Sequence, residues 1–367
     1  DDVGGDGQRD RRVGGHPEGT VADDGEGGEG RDDGAVADFG GRVHDGQERA
    51  GGALVEQLLA LAQTVPVQCQ HQQAGQHLVD LGRGHAIGHQ GDLKIDLRAL
   101  PQAALAGKAF QVEQVGDGVT EFAVGDRVMG YMVFGAARQK VVITPDSLVK
   151  MPDDISFETA AGLTVTYGTT LHAFRDRAEL KAGETVAVLG ASGGVGQAAV
   201  EIASIMGAKV IACASSEEKL AFAKSLGADE LVDYSKTSLK DTLKELTGGA
   251  GVDVVYDPVG GDLAEQALRA TAWEGRFLVI GFASGDIPKI PLNLTLLKGC
   301  DIRGVFWGAA IKKDQDGHKA NMRQLLTWVN EGKLKPHIHA VYPFEKIGTA
   351  LDEIAARKVF GKVILVP

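Results

Sequence analysis

Glycines crowd one short stretch of this chain, which reads TVAVLGASGGVG over residues 185–196. The first five residues have the apolar pattern of a buried strand, and the residues after Gly196 place apolar side chains at helical spacing. Strand, glycine turn and helix in this order are typical of a dinucleotide-binding site. Such a turn lets the backbone approach a pyrophosphate, and the N-terminus of the helix presents free N–H groups to the phosphates.

The residues of this turn have separate expected roles. We expect Gly193 to let the backbone approach the pyrophosphate, and Gly194 and Val195 to be among the residues that bind the cofactor. Gly196 is expected to let the helix pack closely on the strand. Ala191 stands where the usual G-x-G-x-x-G pattern has its first glycine, and alanine fits a tight turn less easily. The alternative is a glycine-rich turn of an α/β protein that binds no nucleotide.

The choice of cofactor is indicated by the residues after the next strand, KVIACA. NAD-binding sites place an Asp or Glu there, on the ribose 2′-hydroxyl. This chain has Ser215 and Ser216 instead, which leave room for a 2′-phosphate, and Lys219 follows one turn later. The pattern predicts NADPH rather than NADH. In the alternative interpretation Ser216 caps a helix, Glu217 and Glu218 favour its dipole, and Lys219 is a solvated charge.

Strand-like and helix-like segments alternate behind the glycine turn. The strand-like segments read KVIACA, ELVDY, VDVVYD, RFLVIGF and CDIRGVFWG, and amphipathic helical segments separate them. This alternation predicts a doubly wound parallel sheet of the Rossmann type with right-handed crossovers, over residues 159–306. A long helix is expected from Asp314 to Glu331, and the last residues read as strand, helix and strand.

A smaller β domain is expected before the sheet. FQVEQVGDGVTEFAVGDRVMGY contains two short β-type runs separated by turn glycines, and QKVVIT, residues 139–144, reads as another strand before the turn at Pro145. Ser156 is expected to cap the helix that follows.

Residues 1–105 have a different composition. Residues 1–50 contain 14 glycines and 14 acids and no Leu or Ile, so we interpret them as disordered. Apolar spacing favours one short helix within residues 51–66. His85 and His89 could pair as metal ligands, but without a helical pattern around them solvated polar sequence is the simpler interpretation.

The overall composition excludes several classes of function. The net charge is −12 and no basic stripe is present, so we exclude nucleic acid as a partner. The three cysteines, Cys69, Cys213 and Cys300, are widely spaced, which predicts neither a disulfide framework nor a cysteine-rich zinc site. No apolar run is long enough for a membrane span. We therefore expect a cytoplasmic protein.

Several segments together resemble the medium-chain dehydrogenase/reductase superfamily, and within it the zinc-free NADPH:quinone oxidoreductases related to zeta-crystallin. The matching segments include LTVTYGTTLHAF, ASGGVG, VDVVYDPVGG, GRFLVIGFASG, GVFWG and FGKVILVP. The resemblance runs from about Val112 to Pro367. It implies a GroES-like catalytic domain, built here from residues 106–158 and 307–367, around the Rossmann domain, with the active site between the two.

The resemblance also implies site residues. Thr164, Tyr167, Phe282 and Phe306 would lie near the nicotinamide, although core packing is an alternative for each of them. Tyr234 would lie along the adenosine, where a half-buried strand tyrosine is the alternative. The resemblance implies a homodimer paired through the strand at residues 300–305. No catalytic acid is assigned, because a reduced quinone takes its protons from solvent.

The sequence departs from the family before Val112. The expected catalytic-domain strands and their Asn, Asp and Tyr are not found there, and residues 1–105 use eight Arg and one Lys. We take this as a hypothesis of an out-of-frame reading of GC-rich coding DNA. The zinc ligands of the alcohol dehydrogenases in the superfamily are not found either, so no metal is expected.

The sequence leaves three functions open. The leading interpretation is an NADPH-dependent quinone reductase. Its nearest rival reduces the activated double bond of an enone, an enal or an enoyl thioester with the same hydride geometry. The third is a catalytically degenerate NADPH-binding protein.

Overall fold

The computed structural model describes residues 107–133 and 135–367. The disordered segment and the short helix predicted within residues 1–105 lie outside these residues, as do His85 and His89. A six-stranded parallel sheet forms the centre of the described part, with the strand order β6-β5-β4-β7-β8-β9. Its strands are β4 (Thr185–Leu189), β5 (Lys209–Ala214), β6 (Glu230–Asp233), β7 (Val252–Asp257), β8 (Thr271–Val279) and β9 (Asp301–Gly304).

Helices connect these strands and flank the sheet. They are α1 (Phe157–Leu171), α2 (Gly194–Ile205), α3 (Glu217–Ser225), α4 (Leu239–Leu246), α5 (Asp262–Arg269), α6 (Asn293–Lys298), α7 (Trp307–Lys313), α8 (Gln315–Asn330) and α9 (Ile347–Ala355). The order in which the strands pair is that of a Rossmann fold, with the change of direction between β4 and β7. The sequence prediction of a doubly wound sheet is confirmed.

The burial of the strands explains why this sheet forms. Val186, Val188, Ile211 and Val254 are completely buried, because helices cover both faces of the sheet. Two apolar clusters result, one on each side. The sheet therefore offers a rigid edge at the carboxyl ends of its strands, where ligands of such folds bind.

Two smaller sheets accompany the large one. Strands β1 (Gly107–Gln111), β2 (Arg127–Tyr131) and β3 (Leu148–Lys150) form an antiparallel sheet. Strands β10 (Ile338–Pro343) and β11 (Lys362–Val366) form a parallel pair. The strand predicted at residues 139–144 is wrong: this segment pairs with no described strand, and the Val142 side chain is 95% exposed.

Helix α1 leads from the small sheet to the large one. Ser156 caps it as predicted, because its hydroxyl oxygen accepts the N–H of Thr159 at 3.1 Å. The helix continues as a π-helical turn, His172–Ala178, and ends at Glu179, which adopts a left-handed conformation with φ 52°. Among the described residues, none of the helices has both the length and the apolar composition that a bilayer span requires.

Candidate functional site: a dinucleotide cleft

The glycine turn lies at the carboxyl end of β4. Gly190 makes the tight bend with φ 60°, and the N–H of Gly193 donates to the Gly190 carbonyl at 3.1 Å. Ala191 is completely buried and donates its N–H to the carbonyl of Cys213 at 3.2 Å. Alanine is accommodated at this position because the residue that needs the positive φ is Gly190.

The other glycines of the turn admit close contacts. A Cβ at Gly196 would overlap the carbonyl oxygen of Gly190, so only glycine lets α2 pack against the end of β4. At Gly193 a Cβ would meet the carbonyl oxygen of Gly190 at 3.6 Å, an ordinary contact distance, so the protein itself does not require glycine there. No side chain caps the N-terminus of α2, which begins at Gly194. Its first N–H groups, with Val195 in the first turn, are placed to bind an anion.

The C-terminal strand reaches this turn. Gly361 forms an isolated parallel bridge with Gly193, and its N–H donates to the carbonyl of Ser192 at 3.1 Å. The next residue, Lys362, runs beside the first turn of α2, since its Cδ atom lies 2.9 Å from the position of a Cβ on Gly194. Burial lowers the pKa of the Lys362 ammonium group. Sequence reasoning missed Lys362 as a candidate for the phosphates.

The serines after β5 lie beside a cation. Ser216 caps α3, and its hydroxyl oxygen accepts the N–H of Lys219 at 3.4 Å. The ammonium nitrogen of Lys219 turns back towards the strand and lies 3.4 Å from the hydroxyl oxygen of Ser215. Ser216 therefore has the capping role of the alternative interpretation, while Lys219 is half-buried rather than fully solvated.

Tyr234 and Arg357 complete this corner. Burial raises the pKa of the Tyr234 hydroxyl, a hydrogen bond with Ser215 lowers it, and the Arg357 guanidinium is close enough to lower it further. Arg357 adopts a left-handed conformation, with φ 56°, which is costly for a residue other than glycine. Sequence reasoning missed Arg357 because it is 123 positions after Tyr234 in the chain. The corner thus combines the hydroxyl groups of Ser215 and Tyr234 with the ammonium group of Lys219, a set that suits a phosphate.

A second loop lies at the carboxyl end of β7. The Oδ1 atom of Asp257 accepts the N–H groups of Val259 and Gly260 at 2.8 and 2.9 Å. Burial raises the pKa of this carboxyl group, and the two backbone hydrogen bonds lower it. A Cβ at Gly260 would lie 2.9 Å from Cδ1 of Phe282, so the predicted residue Phe282 packs on this loop. Asp257, which shapes the loop, was also missed.

Three residues predicted near the nicotinamide differ in their burial and their hydrogen bonds. Thr164 is 1% exposed, and its hydroxyl donates to the carbonyl of Ala160 within α1. Tyr167 is completely buried, and its hydroxyl donates to Glu201. The Phe306 side chain is 77% exposed. The observed partners of Thr164 and Tyr167 are those of core residues, so their contact with a nicotinamide stays a prediction.

A cavity of about 390 Å³ opens beside Lys362. Most of its lining is apolar and comes from α1, α9, β1 and β11, including Val165, Leu351 and Leu365. Among the described residues that line it, Glu158 and Lys108 have the other ionisable side chains. The cavity therefore favours hydrophobic groups over charged ones.

The described residues offer no metal cluster. Within residues 107–133 and 135–367, no three or more His, Cys, Asp and Glu side chains are grouped to hold an ion. Cys213 is completely buried, and burial raises the pKa of its thiol.

Comparison with known proteins agrees with this geometry. A family described as zinc-binding dehydrogenase matches residues 194–331. A quinone oxidoreductase-like protein 2 from Rattus norvegicus is 40% identical over 255 residues, which are 69% of this chain and 73% of the relative. The chain belongs to the quinone oxidoreductase family of medium-chain dehydrogenases/reductases.

Solved structures of this family superimpose on the described fold. A quinone oxidoreductase from Pseudomonas syringae is 35% identical, with a TM-score of 0.68. The match covers 73% of this chain and 83% of the chain in that structure. An Escherichia coli quinone oxidoreductase complexed with NADPH is 29% identical, with the same TM-score of 0.68, and covers 72% and 82%. As a medium-chain dehydrogenase/reductase, this chain is an oxidoreductase.

Proposed function

We propose that this protein binds NADPH and transfers a hydride to a quinone without a metal. The observation that carries the proposal is the corner at the end of β5. There Ser215 stands in place of an acid, and Lys219 lies 3.4 Å from it. A carboxylate at this position would repel a 2′-phosphate, whereas hydroxyl groups and a cation bind it. The NADPH-bound relative supports this choice of cofactor.

The remaining residues of the cleft fit the same cofactor. The free N-terminus of α2, which follows Gly193, suits the pyrophosphate. Lys362 adds a cation beside Gly194, and Arg357 adds one beside Tyr234. The Asp257 loop, on which Phe282 packs, closes the end of β7. When bound, NADPH supplies the hydride, and the chain holds it in place and excludes water.

We infer the acceptor from the family and from the chemistry of quinones, whose reduction needs no acidic group of the protein. A quinone that has taken a hydride acquires its proton readily from solvent, so the protein has only to hold the ring against the nicotinamide. The two structural relatives named as quinone oxidoreductases support this acceptor. An activated alkene requires the same hydride geometry and stays the second candidate acceptor.

An acceptor panel tests the proposal. Purified protein is mixed with NADPH or NADH and with phenanthrenequinone, benzoquinone or a 2-alkenal, and oxidation of the cofactor is followed by absorbance. Quinone-dependent oxidation of NADPH supports the proposal. If NADPH is oxidised with the alkenal but with neither quinone, the acceptor is an activated alkene instead. If NADPH binds but is not oxidised, the protein is a catalytically degenerate NADPH-binding protein.

Chelation tests the metal-free part of the proposal. We expect the activity to survive prolonged treatment with EDTA, because the described residues contain no ligand group for zinc. Loss of activity with EDTA and recovery with added zinc would contradict this part.

A further inference from the structure

A buried polar network joins α1 to α2 beneath the glycine turn. The hydroxyl of Tyr167 donates to Oε2 of Glu201 at 2.5 Å and accepts from Nε2 of Gln197 at 2.8 Å. Tyr167 and Gln197 are completely buried, and Glu201 is 6% exposed. Apolar side chains would join two helices at less cost in desolvation. The polar groups therefore call for a further explanation.

The network continues to the backbone of the C-terminal segment. The second carboxylate oxygen of Glu201, Oε1, accepts the N–H of Lys335 at 3.0 Å. Gln197 donates from Nε2 to the carbonyl of His337 at 3.3 Å, so this nitrogen bonds both Tyr167 and the segment. The side chains on α2 thus hold the segment at two backbone positions, immediately before β10.

The held segment is the one that reaches the cofactor cleft. The carbonyl of His337 also accepts the N–H of Lys362 at 3.3 Å, which connects the start of β10 to the start of β11. Gly361 lies against Gln197, because a Cβ there would overlap Oε1 of that side chain. Gly361 in turn is bonded to the glycine turn at Ser192. Two hydrogen bonds therefore separate the Gln197 amide from the backbone N–H of Lys362.

We propose that Gln197 and Glu201 are positioning residues for cofactor binding. They hold the C-terminal segment against the glycine turn, so that Lys362 is in place before the cofactor arrives. Tyr167 fixes the rotamers of both side chains through its hydrogen bonds with them. Preorganisation of this kind increases affinity because less freedom is lost on binding. The inference rests on the proposed NADPH binding.

Two substitutions at one position separate positioning from packing. Glu201→Leu keeps a side chain of similar size and removes both contacts of the carboxylate. We expect it to weaken NADPH binding about tenfold, the lower end of the effect of one charged hydrogen bond. Glu201→Gln keeps an oxygen that can accept from Lys335 and an amide that can donate to Tyr167, so we expect affinity within about twofold of wild type. NADPH is titrated by fluorescence into the full chain.

Ile202→Val is the matched control, because Ile202 is the next residue of α2 and is completely buried. It should lower the melting temperature without changing NADPH affinity. If Glu201→Leu binds NADPH as wild type does, the inference is overturned and the proposed function stands. If the wild-type chain does not bind NADPH, both are overturned.

Hydrogen–deuterium exchange of the wild-type chain keeps the inference testable should Glu201→Leu not fold. Because linkage is reciprocal, NADPH must stabilise the contacts that favour its binding. We expect added NADPH to slow exchange at the N–H groups of Lys335 and Gly361, which donate to Glu201 and Ser192. Unchanged exchange at both positions under saturating NADPH would overturn the inference.

Discussion

The ammonium nitrogen of Lys219 lies 3.4 Å from the hydroxyl oxygen of Ser215, so a cation on α3 is directed back towards the end of β5. The helix begins only two residues after Ser215, which leaves Lys219 one turn from the strand. This arrangement distinguishes the corner from one that carries an acid for a ribose hydroxyl.

Lys219→Ala should weaken the binding of NADPH and leave that of NADH nearly unchanged. A lysine contact with a phosphate is charge-assisted and contributes about 1.5 to 3 kcal/mol, which corresponds to about ten- to a hundredfold in affinity. Titration of both cofactors measures the effect. Lys224→Ala is the control, since Lys224 lies in the last turn of the same helix and bonds the carbonyl of Asp229. Equal losses for NADPH and NADH would show that Lys219 is structural.

Gly196→Ala should abolish cofactor binding or folding. The added Cβ would overlap the carbonyl oxygen of Gly190 and the backbone of Ala191, and backbone atoms cannot move aside as the end of a side chain can. Gly348→Ala serves as the control, because nothing lies within 4 Å of a Cβ on this glycine of α9. Alanine there should be neutral or slightly stabilising. Thermal melting with and without NADPH compares the two variants, and normal binding by Gly196→Ala would contradict the assigned role of this glycine.

The parts of the fold that sequence could predict are those with local patterns. The strands and helices behind Gly196 have strong periodicity, and Ser156 and Ser216 precede their helices as capping residues do. The strand that was wrongly predicted at residues 139–144 also came from a local pattern. Val141, Val142 and Ile143 have β propensity, but the segment that pairs with β2 on the side away from β1 is Leu148–Lys150, after the turn. A tertiary pairing overrides the local preference there.

The site was predicted only where one segment defines it. The glycine turn and the Ser215 corner are local, and both were found. Lys362 and Arg357 reach the cleft from the other end of the chain, and no local pattern shows that Gly361 bridges Gly193. Tyr167 was assigned by resemblance, and its partner Glu201 is 34 positions away on another helix. Such long-range contacts depend on how α1 and α2 pack.

The proposed homodimer should form through β9. This strand lies at the edge of the sheet, and within the described residues no strand covers its outer side. Ile302 on β9 is 38% exposed, and Leu296 and Leu297 on the adjacent α6 are 80% and 69% exposed. Apolar side chains beside an open strand edge favour pairing with a second copy.

Ile302→Glu should therefore convert the dimer to a monomer in light scattering at micromolar concentration. Two like charges would meet across the paired strands. Val142→Glu adds the same charge at another exposed apolar residue and should leave the dimer intact. A wild-type monomer, or a dimer that persists in Ile302→Glu, would contradict an interface at β9.

The ion pair between Glu184 and Arg276 should make the free energy of unfolding depend on pH in the acid range. Burial raises the pKa of Glu184, but hydrogen bonds from Arg276 and from the Lys181 N–H outweigh it, so the pKa is lowered. The two terminal guanidinium nitrogens of Arg276, Nη1 and Nη2, each lie 2.8 Å from an oxygen of the Glu184 carboxylate. Because the folded-state pKa is below the unfolded one, this pair stabilises the fold above the unfolded pKa of Glu and less as the pH falls through the folded value.

Arg276→Met should accordingly lower the melting temperature at neutral pH. The difference from wild type should diminish as Glu184 becomes protonated in acid. Melting curves across this range measure the difference, and Arg303→Met is the control, since Arg303 pairs with the exposed Asp301 instead. A difference between Arg276→Met and wild type that is constant with pH would assign the effect to packing of the Arg276 side chain.

Quinone-dependent oxidation of NADPH and NADH by the wild-type chain tests the proposed function most directly. Both cofactors are supplied at equal, subsaturating concentrations with phenanthrenequinone, and the two initial rates are compared. We predict that NADPH is oxidised at least about tenfold faster than NADH, because its 2′-phosphate gains the contact with Lys219. Equal rates with both cofactors, or no oxidation of NADPH when the quinone is added, would contradict the proposed function.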